Sequence, residues 1–149
     1  MFPSVDLTGL PERLAVSAAV VLRAGSHGRK WVLLSRRLPG SHLAGFWEFP
    51  GGKIRPGEGG ADCARRETEE ETGVWARPTE LLLRVEHRYP QRDVELEFHL
   101  CAFESGTPRP DGCAAVRWVR PANLGCYRFP EANAEVVERL QERLGAIRG

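Results

Sequence analysis

The chain has 149 residues, a length that suits one globular domain and excludes a multidomain assembly. Hydrophobic residues make up 42%, and 16 glycines and 11 prolines are too few for a collagen-like or disordered chain. The 21 basic and 20 acidic residues nearly cancel, so the molecule as a whole has no strong field to hold a nucleic acid polymer or an anionic membrane. Any recognition of phosphate must therefore be local.

The N-terminal half predicts a β-hairpin and then an aromatic strand that contains Trp47 and Phe49. Residues 14–23 are rich in Val and Ala, a turn cluster follows, and residues 31–34 resume the apolar pattern. The apolar stretch 14–22 is about half the length of a membrane-spanning helix. Asp6 and Glu12 precede it and argue against a signal peptide, so we expect a cytoplasmic protein without a membrane partner.

The C-terminal half predicts two helices among further strands. Residues 61–72 contain no Gly or Pro, and Gly73 follows where a left-handed C-terminal cap belongs. Residues 81–86 and 94–102 suit two strands joined across a turn at Tyr89-Pro90, and residues 116–119 suit another strand. Residues 133–144 suit a second helix, with one apolar stripe that consists of Val136, Val137, Leu140 and Leu144. This order predicts an α/β protein whose mixed sheet is packed against helices, with a core from about 14 to 144.

The cysteines predict neither a zinc site nor a disulfide framework. They are far apart and form no CxxC pair, at positions Cys63, Cys101, Cys113 and Cys126. In a reducing cytoplasm they are expected to be free thiols.

Charged residues are concentrated between residues 46 and 73. On the predicted helix, Glu67, Glu70 and Glu71 stand at i, i+3 and i+4, so their carboxylates project from one face. Glu69 points elsewhere. Three like charges repel one another, and hard carboxylate oxygens suit Mg²⁺, for which Mn²⁺ can substitute. The stretch therefore predicts a divalent-metal site.

On the helix alone, a solvated face with i,i+4 ion pairs is an equally open interpretation. Those pairs would join Arg65 to Glu69 and Arg66 to Glu70. The order of the surrounding features favours the metal site, because an aromatic strand, a glycine turn with Lys53 and an acidic loop residue all precede the helix.

This stretch resembles the Nudix box, the signature of hydrolases that cleave nucleoside diphosphates linked to another moiety. The matching residues are Gly52, Glu58 after five residues, Arg66-Glu67 after seven more, Glu70-Glu71, Gly73 and Val74. The box has an aliphatic residue where this chain carries Thr68, a departure that concerns packing rather than chemistry. The resemblance implies one domain over residues 1–149, an α/β/α sandwich with a mixed sheet and helices on both sides.

The resemblance also implies how the site would work. The metal ligands would be the Gly51 carbonyl, Glu67, Glu70 and Glu71. Glu67 would also orient or deprotonate the attacking water, Arg66 would fix the Glu67 carboxylate, and Lys53 would compensate charge. A metal that bridges phosphate oxygens and lowers the pKa of the water would supply most of the rate. A nucleoside triphosphate would yield the monophosphate and pyrophosphate.

Outside the box, the order and spacing of several features along most of the chain resemble the MutT branch, namely Arg36-Arg37, His42, residues 48–53, Tyr89-Pro90 with Arg92, and residues 129–133. Members of that branch sanitise the nucleotide pool by hydrolysing 8-oxo-dGTP, a role that belongs to DNA repair. This resemblance implies a nucleotide pocket, to which Phe49 contributes partly through its backbone, lined by Arg37, His42, Glu48, Phe49, Pro50, Gly51, Arg92 and Asn133.

Asn133 can also be weighed from its own chemistry. It shares a helix stripe with Val136 and Leu140, and its carboxamide offers both a donor and an acceptor. The amide could donate to O6 of 8-oxoguanine and accept from its protonated N7. Ordinary guanine presents acceptors at both atoms, so a buried polar group would be left unpaired. An N-cap role is the alternative.

Several alternatives are open from the sequence. MutT-like enzymes can carry a metal-binding glutamate before the Trp of a late strand, and here Arg117 precedes Trp118. Arg117 could contact phosphate, or a strand glutamate could ligate the metal instead, the candidates being Glu86, Glu95 and Glu97. An enzyme for cytosine nucleotides and a noncatalytic nucleotide sensor are the alternative functions, and both a monomer and a homodimer fit the sequence.

Overall fold

The computed structural model describes residues 13–90 and 92–145. Within these ranges, seven strands form one mixed sheet that is flanked by two α-helices. The strands are β1 Arg13–Ala24, β2 Lys30–Arg36, β3 Trp47–Glu48, β4 Gly51–Lys53, β5 Trp75–Tyr89, β6 Arg92–Ser105 and β7 Ala115–Val119. The helices are α1 Gly60–Thr72 and α2 Ala134–Leu140, with a π-helical turn at Gln141–Gly145 and 3-10 turns at Ser26–Gly28, Pro121–Cys126 and Glu131–Asn133.

β1 is the central strand of the sheet. It runs parallel to β6, while its first half pairs with β4 and its last residues pair with β2, both antiparallel. β6 pairs with β5 on its other side, and β2 pairs with both β3 and β7. This topology places the glycine segment Gly51–Lys53 beside the middle of β1, where α1 packs on both strands.

The two faces of β1 are buried in different cores. Val16 and Val20 pack in the core that contains Val136 of α2. Ala19 and Val21 pack in a second core, together with Ala64 of α1. A strand buried on both faces carries a nearly continuous apolar sequence, as residues 14–22 do. The α/β/α arrangement predicted from the sequence is confirmed.

The predicted elements are present, most of them extending one to three residues further at one or both ends than predicted, and three differ more. The predicted glycine turn contains β4, because Gly51 and Gly52 pair with β1. β5 is much longer than the predicted 81–86. It lies at the edge of the sheet and pairs with β6 alone, so Pro78, which has no N–H, removes no hydrogen bond to a second neighbouring strand. The helix predicted over 133–144 is α2 followed by the π-helical turn.

Two smaller expectations concern the cysteines and membranes. All four cysteines are free thiols, with Cys126 exposed and the other three buried. None of the helices within residues 13–90 and 92–145 has the length and apolarity to traverse a bilayer.

Thr68 stands where the box has an aliphatic residue, and the helix itself accommodates its hydroxyl. The side chain is fully buried, and Oγ1 donates to the Ala64 carbonyl at 2.7 Å. One turn later, Thr72 Oγ1 donates to the Thr68 carbonyl at 2.6 Å and accepts from the Val74 N–H at 3.2 Å. Thr72 therefore satisfies a backbone donor just beyond the helix, whereas Thr68 satisfies only its own hydroxyl.

This difference predicts that the same substitution is tolerated at position 68 and destabilises the protein at position 72. Thr68→Val should change the free energy of unfolding by less than about 1 kcal/mol, because it removes a donor and strands no partner. Thr72→Val should lower it by about 1–3 kcal/mol, because the buried Val74 N–H loses its acceptor. Urea denaturation of both variants would measure the difference. Equal losses would contradict the assigned roles.

Candidate active site

Arg66 is the centre of the acidic stretch. Its Nε and Nη2 donate to the two carboxylate oxygens of Glu58 at 2.7 and 2.9 Å. Its Nη1 donates to Glu67 Oε1 at 3.0 Å and to Glu70 Oε2 at 3.2 Å. Nη2 also donates to the Lys53 carbonyl at 3.3 Å. One guanidinium therefore ties the loop before the helix to two of the three predicted ligand carboxylates.

The bidentate pair between Arg66 and Glu58 is the strongest of these contacts. It lowers the pKa of Glu58 to about 2, first through the hydrogen bonds from Arg66. The same contact raises the pKa of Arg66 above its already high ordinary value. Both groups are therefore charged throughout the neutral range.

Glycine at position 52 lets Glu67 lie directly against β4. A Cβ atom at Gly52 would be 2.5–2.8 Å from the three atoms of the Glu67 carboxyl group. Such distances are sterically excluded, so any side chain at position 52 would push the carboxylate away. The glycine thus helps to fix the side chain that the resemblance makes the water-activating group.

Glu71 is buried beside two other carboxylates. Its side chain faces inward, where the Gly51 N–H hydrogen-bonds to it. Burial, followed by the nearby Glu48 and Glu67 charges, raises the pKa of Glu71 well above its ordinary value. Within the described residues, Glu71 Oε2 has no hydrogen-bond partner. A buried, unpartnered carboxylate oxygen next to like charges fits a divalent cation.

The three helix carboxylates are near each other but are not arranged around one point. No group of three or more His, Cys, Asp or Glu side chains in the described ranges is placed to hold a metal ion. Arg66 holds Glu67 and Glu70, whereas Glu71 lies beside Glu48 as well as Glu67. The donor set therefore fits a hard cation in its chemistry, and Arg66 contacts Glu67 through Oε1 alone.

A basic cleft opens beside Glu67. It has a volume of about 630 Å³, and four cationic side chains are part of its lining, namely Arg13, Lys53, Arg55 and Arg66. Cationic walls next to a carboxylate cluster are suited to a polyphosphate whose charge is shared between cations. Lys53 itself is exposed at this cleft.

Arg37 and Glu48, predicted to line the nucleotide pocket, form a buried ion pair. Arg37 Nη1 lies 3.0 Å from Glu48 Oε1, and the two side chains are 2% and 4% exposed. Arg37 Nε donates to the His42 carbonyl at 2.6 Å, while the His42 side chain is exposed. Burial raises the pKa of Glu48, and Arg37 opposes that rise. The ion pair connects the loop around His42 with the acidic cluster, because the Glu48 carboxylate also lies near that of Glu71.

Phe49 and Asn133 lie on the other side of the sheet, in the core that faces α2. Phe49 stacks on Phe129 with ring centroids 5.5 Å apart and meets Phe98 edge-on at 6.0 Å. Asn133 is 1% exposed and precedes α2, but its side chain makes no capping hydrogen bond. Its Nδ2 has no hydrogen-bond partner among the described residues. The N-cap alternative therefore lacks the contact that would define it.

The remaining predicted pocket residues are less informative. Pro50 is buried, and its carbonyl accepts from the Ala19 N–H at 2.8 Å. Arg92 is half-buried at the start of β6, opposite Tyr89. The sequence placed Tyr89 in a turn and among the features shared with the MutT branch, but not in the nucleotide pocket. The Tyr89 hydroxyl is buried, and burial together with the nearby Glu131 carboxylate raises its pKa. The end of β5 therefore lies close to the turn that precedes α2.

The alternative metal ligands from the sheet are engaged in other contacts. Glu86 and Glu95 both pair with Arg13, and Glu97 lies 2.8 Å from His99 Nε2. Arg117 donates to the Tyr127 hydroxyl at 3.2 Å, and its guanidinium lies over the Trp47 ring. Of the two predicted i,i+4 pairs on α1, Arg66 with Glu70 is present, whereas Arg65 lies over the Trp75 ring.

A known family model accounts for the site and most of the chain. Residues 18–139 match the NUDIX domain. The chain belongs to the Nudix family. This Nudix hydrolase is 36% identical over 109 residues to an 8-oxo-dGTP diphosphatase of Haemophilus influenzae, covering 73% of this chain and 80% of the relative. It is 31% identical over 126 residues to a CTP pyrophosphohydrolase of Escherichia coli, covering 84% and 89%.

Solved structures agree with this assignment. A MutT structure from work on Aliivibrio salmonicida and Vibrio cholerae superposes with a TM-score of 0.69 at 31% identity, covering 88% of this chain and 98% of that one. The protein is a MutT-like Nudix hydrolase. Nudix hydrolases generally use divalent metal ions.

Two glycines of the Nudix box give a matched test of the site. Gly52→Ala should lower kcat by about 100-fold, because the new Cβ displaces the Glu67 carboxylate by about an ångström. Gly59→Ala is the control, since a Cβ there meets nothing within 4 Å and φ is an ordinary −80°. Pyrophosphate release and thermal melting of both variants would be measured. An active Gly52→Ala would show that the position of Glu67 is not critical.

Glu58 gives a prediction about pH. Its folded-state pKa of about 2 lies below the ordinary 4.5, so its ion pair contributes stability that is complete above pH 4.5 and is lost as the pH falls towards 2. Glu58→Gln should therefore be less stable than the parent at pH 7, and the difference should shrink steadily between pH 4.5 and 2. Urea denaturation across this range would test it, and a difference independent of pH would contradict it.

Proposed function

We propose that this Nudix hydrolase converts 8-oxo-dGTP to the monophosphate and pyrophosphate with Mg²⁺, for which Mn²⁺ can substitute. The observation that carries the choice of substrate is the buried Asn133 amide, whose Nδ2 has no partner in the described part of the chain. The similarity to 8-oxo-dGTP diphosphatases supports the same choice. The proposed place of action is the cytoplasm, on the nucleotide pool.

The base would be recognised by hydrogen bonds that only the oxidised purine completes. Asn133 Nδ2 would donate to O6, and its carbonyl oxygen would accept from the N7 proton of 8-oxoguanine. With ordinary guanine the carbonyl would face an acceptor, and a buried site discriminates strongly against a ligand that leaves its polar groups unpaired. Phe129, which stacks on Phe49 and lies four residues before Asn133 in the chain, would supply aromatic surface to the base.

The phosphates would lie towards the Nudix box. Lys53 and Arg55 of the basic cleft beside Glu67 can neutralise phosphate oxygens, whereas Arg13 in the same cleft is paired with Glu86 and Glu95. The divalent metal would be held by the Gly51 carbonyl, Glu67, Glu70 and Glu71. Such a metal polarises phosphate oxygens and lowers the pKa of water.

The residues of the chain would then carry the proton transfer. Arg66 holds Glu67 Oε1 at 3.0 Å, and Gly52 gives the carboxylate room against β4. In this position Glu67 would orient the attacking water and accept its proton. Lys53 would compensate the charge that develops on the leaving pyrophosphate.

A pyrophosphohydrolase acting on cytosine nucleotides is the second candidate. It is favoured by the similarity to the Escherichia coli CTP pyrophosphohydrolase, which extends over more of the chain than the similarity to the Haemophilus influenzae enzyme. A noncatalytic nucleotide sensor is disfavoured, because every charged position of the box is present in the sequence.

The test compares kcat/KM for 8-oxo-dGTP, dGTP and CTP by pyrophosphate release with Mg²⁺. The parent should prefer 8-oxo-dGTP over dGTP by about 100-fold or more. Asn133→Ala should reduce this preference by about 10-fold or more, since one buried hydrogen-bonding group is lost. Asn123→Ala, at an exposed asparagine, should leave the preference unchanged.

The other outcomes of this test distinguish the two candidate substrates and the role of Glu67. Equal turnover of dGTP and 8-oxo-dGTP by the parent would remove the proposed substrate, and a preference for CTP would establish the second candidate. Glu67→Gln should lower kcat by about 100-fold or more. Full turnover by this variant would remove the assigned role of Glu67 but leave the choice of nucleotide intact.

A further inference from the structure

The first turn of α1 is hydrogen-bonded to the central strand of the sheet. Ser17 of β1 is fully buried, and its Oγ donates to the Gly60 carbonyl at 2.6 Å. Ser17 belongs to the alternate set of β1 residues that faces α1, because Ala19 packs with Ala64 of the helix. The hydrogen bond therefore fixes the place on β1 at which the helix begins.

Two side chains of β6 fill the space beside Gly60. A Cβ atom at Gly60 would overlap Glu97 Oε1 and would lie 2.9 Å from His99 Nε2. These two side chains contact each other at 2.8 Å and are mostly buried, while Arg84 Nη2 lies 3.5 Å from Glu97 Oε2. The Glu97 carboxylate is thus held from two sides, and glycine at position 60 lets the helix approach it closely.

Ser17 and Glu97 lie in one row across the sheet with Gly52. Ser17 is opposite Gly52 of β4 on one side and opposite Glu97 of β6 on the other. Residues that are directly opposite in neighbouring strands project to the same face, so the whole row faces α1. At the Gly52 end of this row lies the Glu67 carboxylate, within 2.5–2.8 Å of where a Cβ atom would be. One row of the sheet therefore contacts both the start of α1 and the water-activating side chain.

The helix connects these two contacts mechanically. Gly60 and Glu67 are seven residues apart in one uninterrupted α-helix, a distance of about two turns. Packed interiors transmit displacements because they are close to incompressible, so a shift of the first turn moves the next two turns with it. Arg66 holds Glu67 Oε1 at 3.0 Å from the same helix and would move along with it. The position of Glu67 over Gly52 thus depends on the contacts at Gly60.

We propose that Ser17 and Glu97 are positioning residues for Glu67. They set where α1 begins on the sheet and thereby where the Glu67 carboxylate lies against β4. The inference rests on the role of Glu67 in the proposed function but not on the choice of nucleotide. It also separates Glu97 from a metal ligand, because positioning needs the shape of the side chain and its hydrogen bonding rather than its charge.

The first test compares two buried serines by pyrophosphate release, with whichever nucleotide the parent hydrolyses fastest. Ser17→Ala should lower kcat by about fivefold or more and change KM by less than about twofold, because the helix shifts while the proposed nucleotide contacts stay. Ser35→Ala is the matched control, since Ser35 is equally buried and its Oγ has no hydrogen-bond partner among the described residues. It should change kcat by less than about twofold. Equal effects of the two variants, each assayed well below its melting temperature, would overturn the proposal.

The second test asks whether Ser17 acts through Glu67. In a Glu67→Gln background, Ser17→Ala should change the residual kcat by less than about twofold, because the effects of residues that act through one another are not additive. A purely structural role of Ser17 would lower kcat by the same factor in both backgrounds and would overturn the proposal. Full turnover by Glu67→Gln alone would overturn it as well.

The third test separates the shape of Glu97 from its charge. Glu97→Ala should lower kcat by about fivefold or more, because it leaves the space beside Gly60 empty. Glu97→Gln keeps the shape and one carbonyl oxygen, so it should retain kcat within about twofold and the Mn²⁺ affinity of the parent, measured by electron paramagnetic resonance. An equal loss of kcat in both variants would overturn the positioning role, and an accompanying loss of Mn²⁺ affinity would identify a metal ligand. A parent that does not prefer 8-oxo-dGTP would overturn the proposed substrate and leave these comparisons valid.

Discussion

The site depends on one guanidinium among carboxylates. Arg66 bonds to Glu58 through two atoms and to Glu67 and Glu70 through a third. Hydrogen bonds to charged groups contribute about 1.5–3 kcal/mol each, whereas the like charges alone would repel. Arg66 thereby holds the acidic helix face together, and the cation proposed for this site would lie against the same carboxylates.

Much of the fold follows from local sequence patterns, and the exceptions have tertiary causes. Gly73 ends α1 because it adopts a left-handed φ of 74°, a conformation that favours glycine. Alternation predicted β6 correctly but not the length of β5, whose first residues, 75–80, are mostly exposed and carry no clear period. β4 could not be predicted, because Gly51 and Gly52 have no strand propensity and pair only because β1 lies beside them.

The spacing of the acidic residues predicted a common face on α1, and the structure adds how they differ. Glu70 is exposed and Glu71 is buried, although they are adjacent, because only Glu71 faces β4 and Glu48. The pairing of Arg37 with Glu48 joins residues 11 positions apart across a loop, which no local pattern encodes.

The thiol inside the Nudix helix has a chemical consequence of its own. Cys63 is fully buried, its Sγ donates to the Lys53 carbonyl at 3.3 Å, and burial raises its pKa to about 12. Peroxides attack the thiolate rather than the neutral thiol, so this sulfur is shielded by both ionisation state and access. An enzyme whose proposed substrate arises from oxidative damage thus keeps a cysteine next to Arg66 without exposing it to the oxidant that creates the substrate.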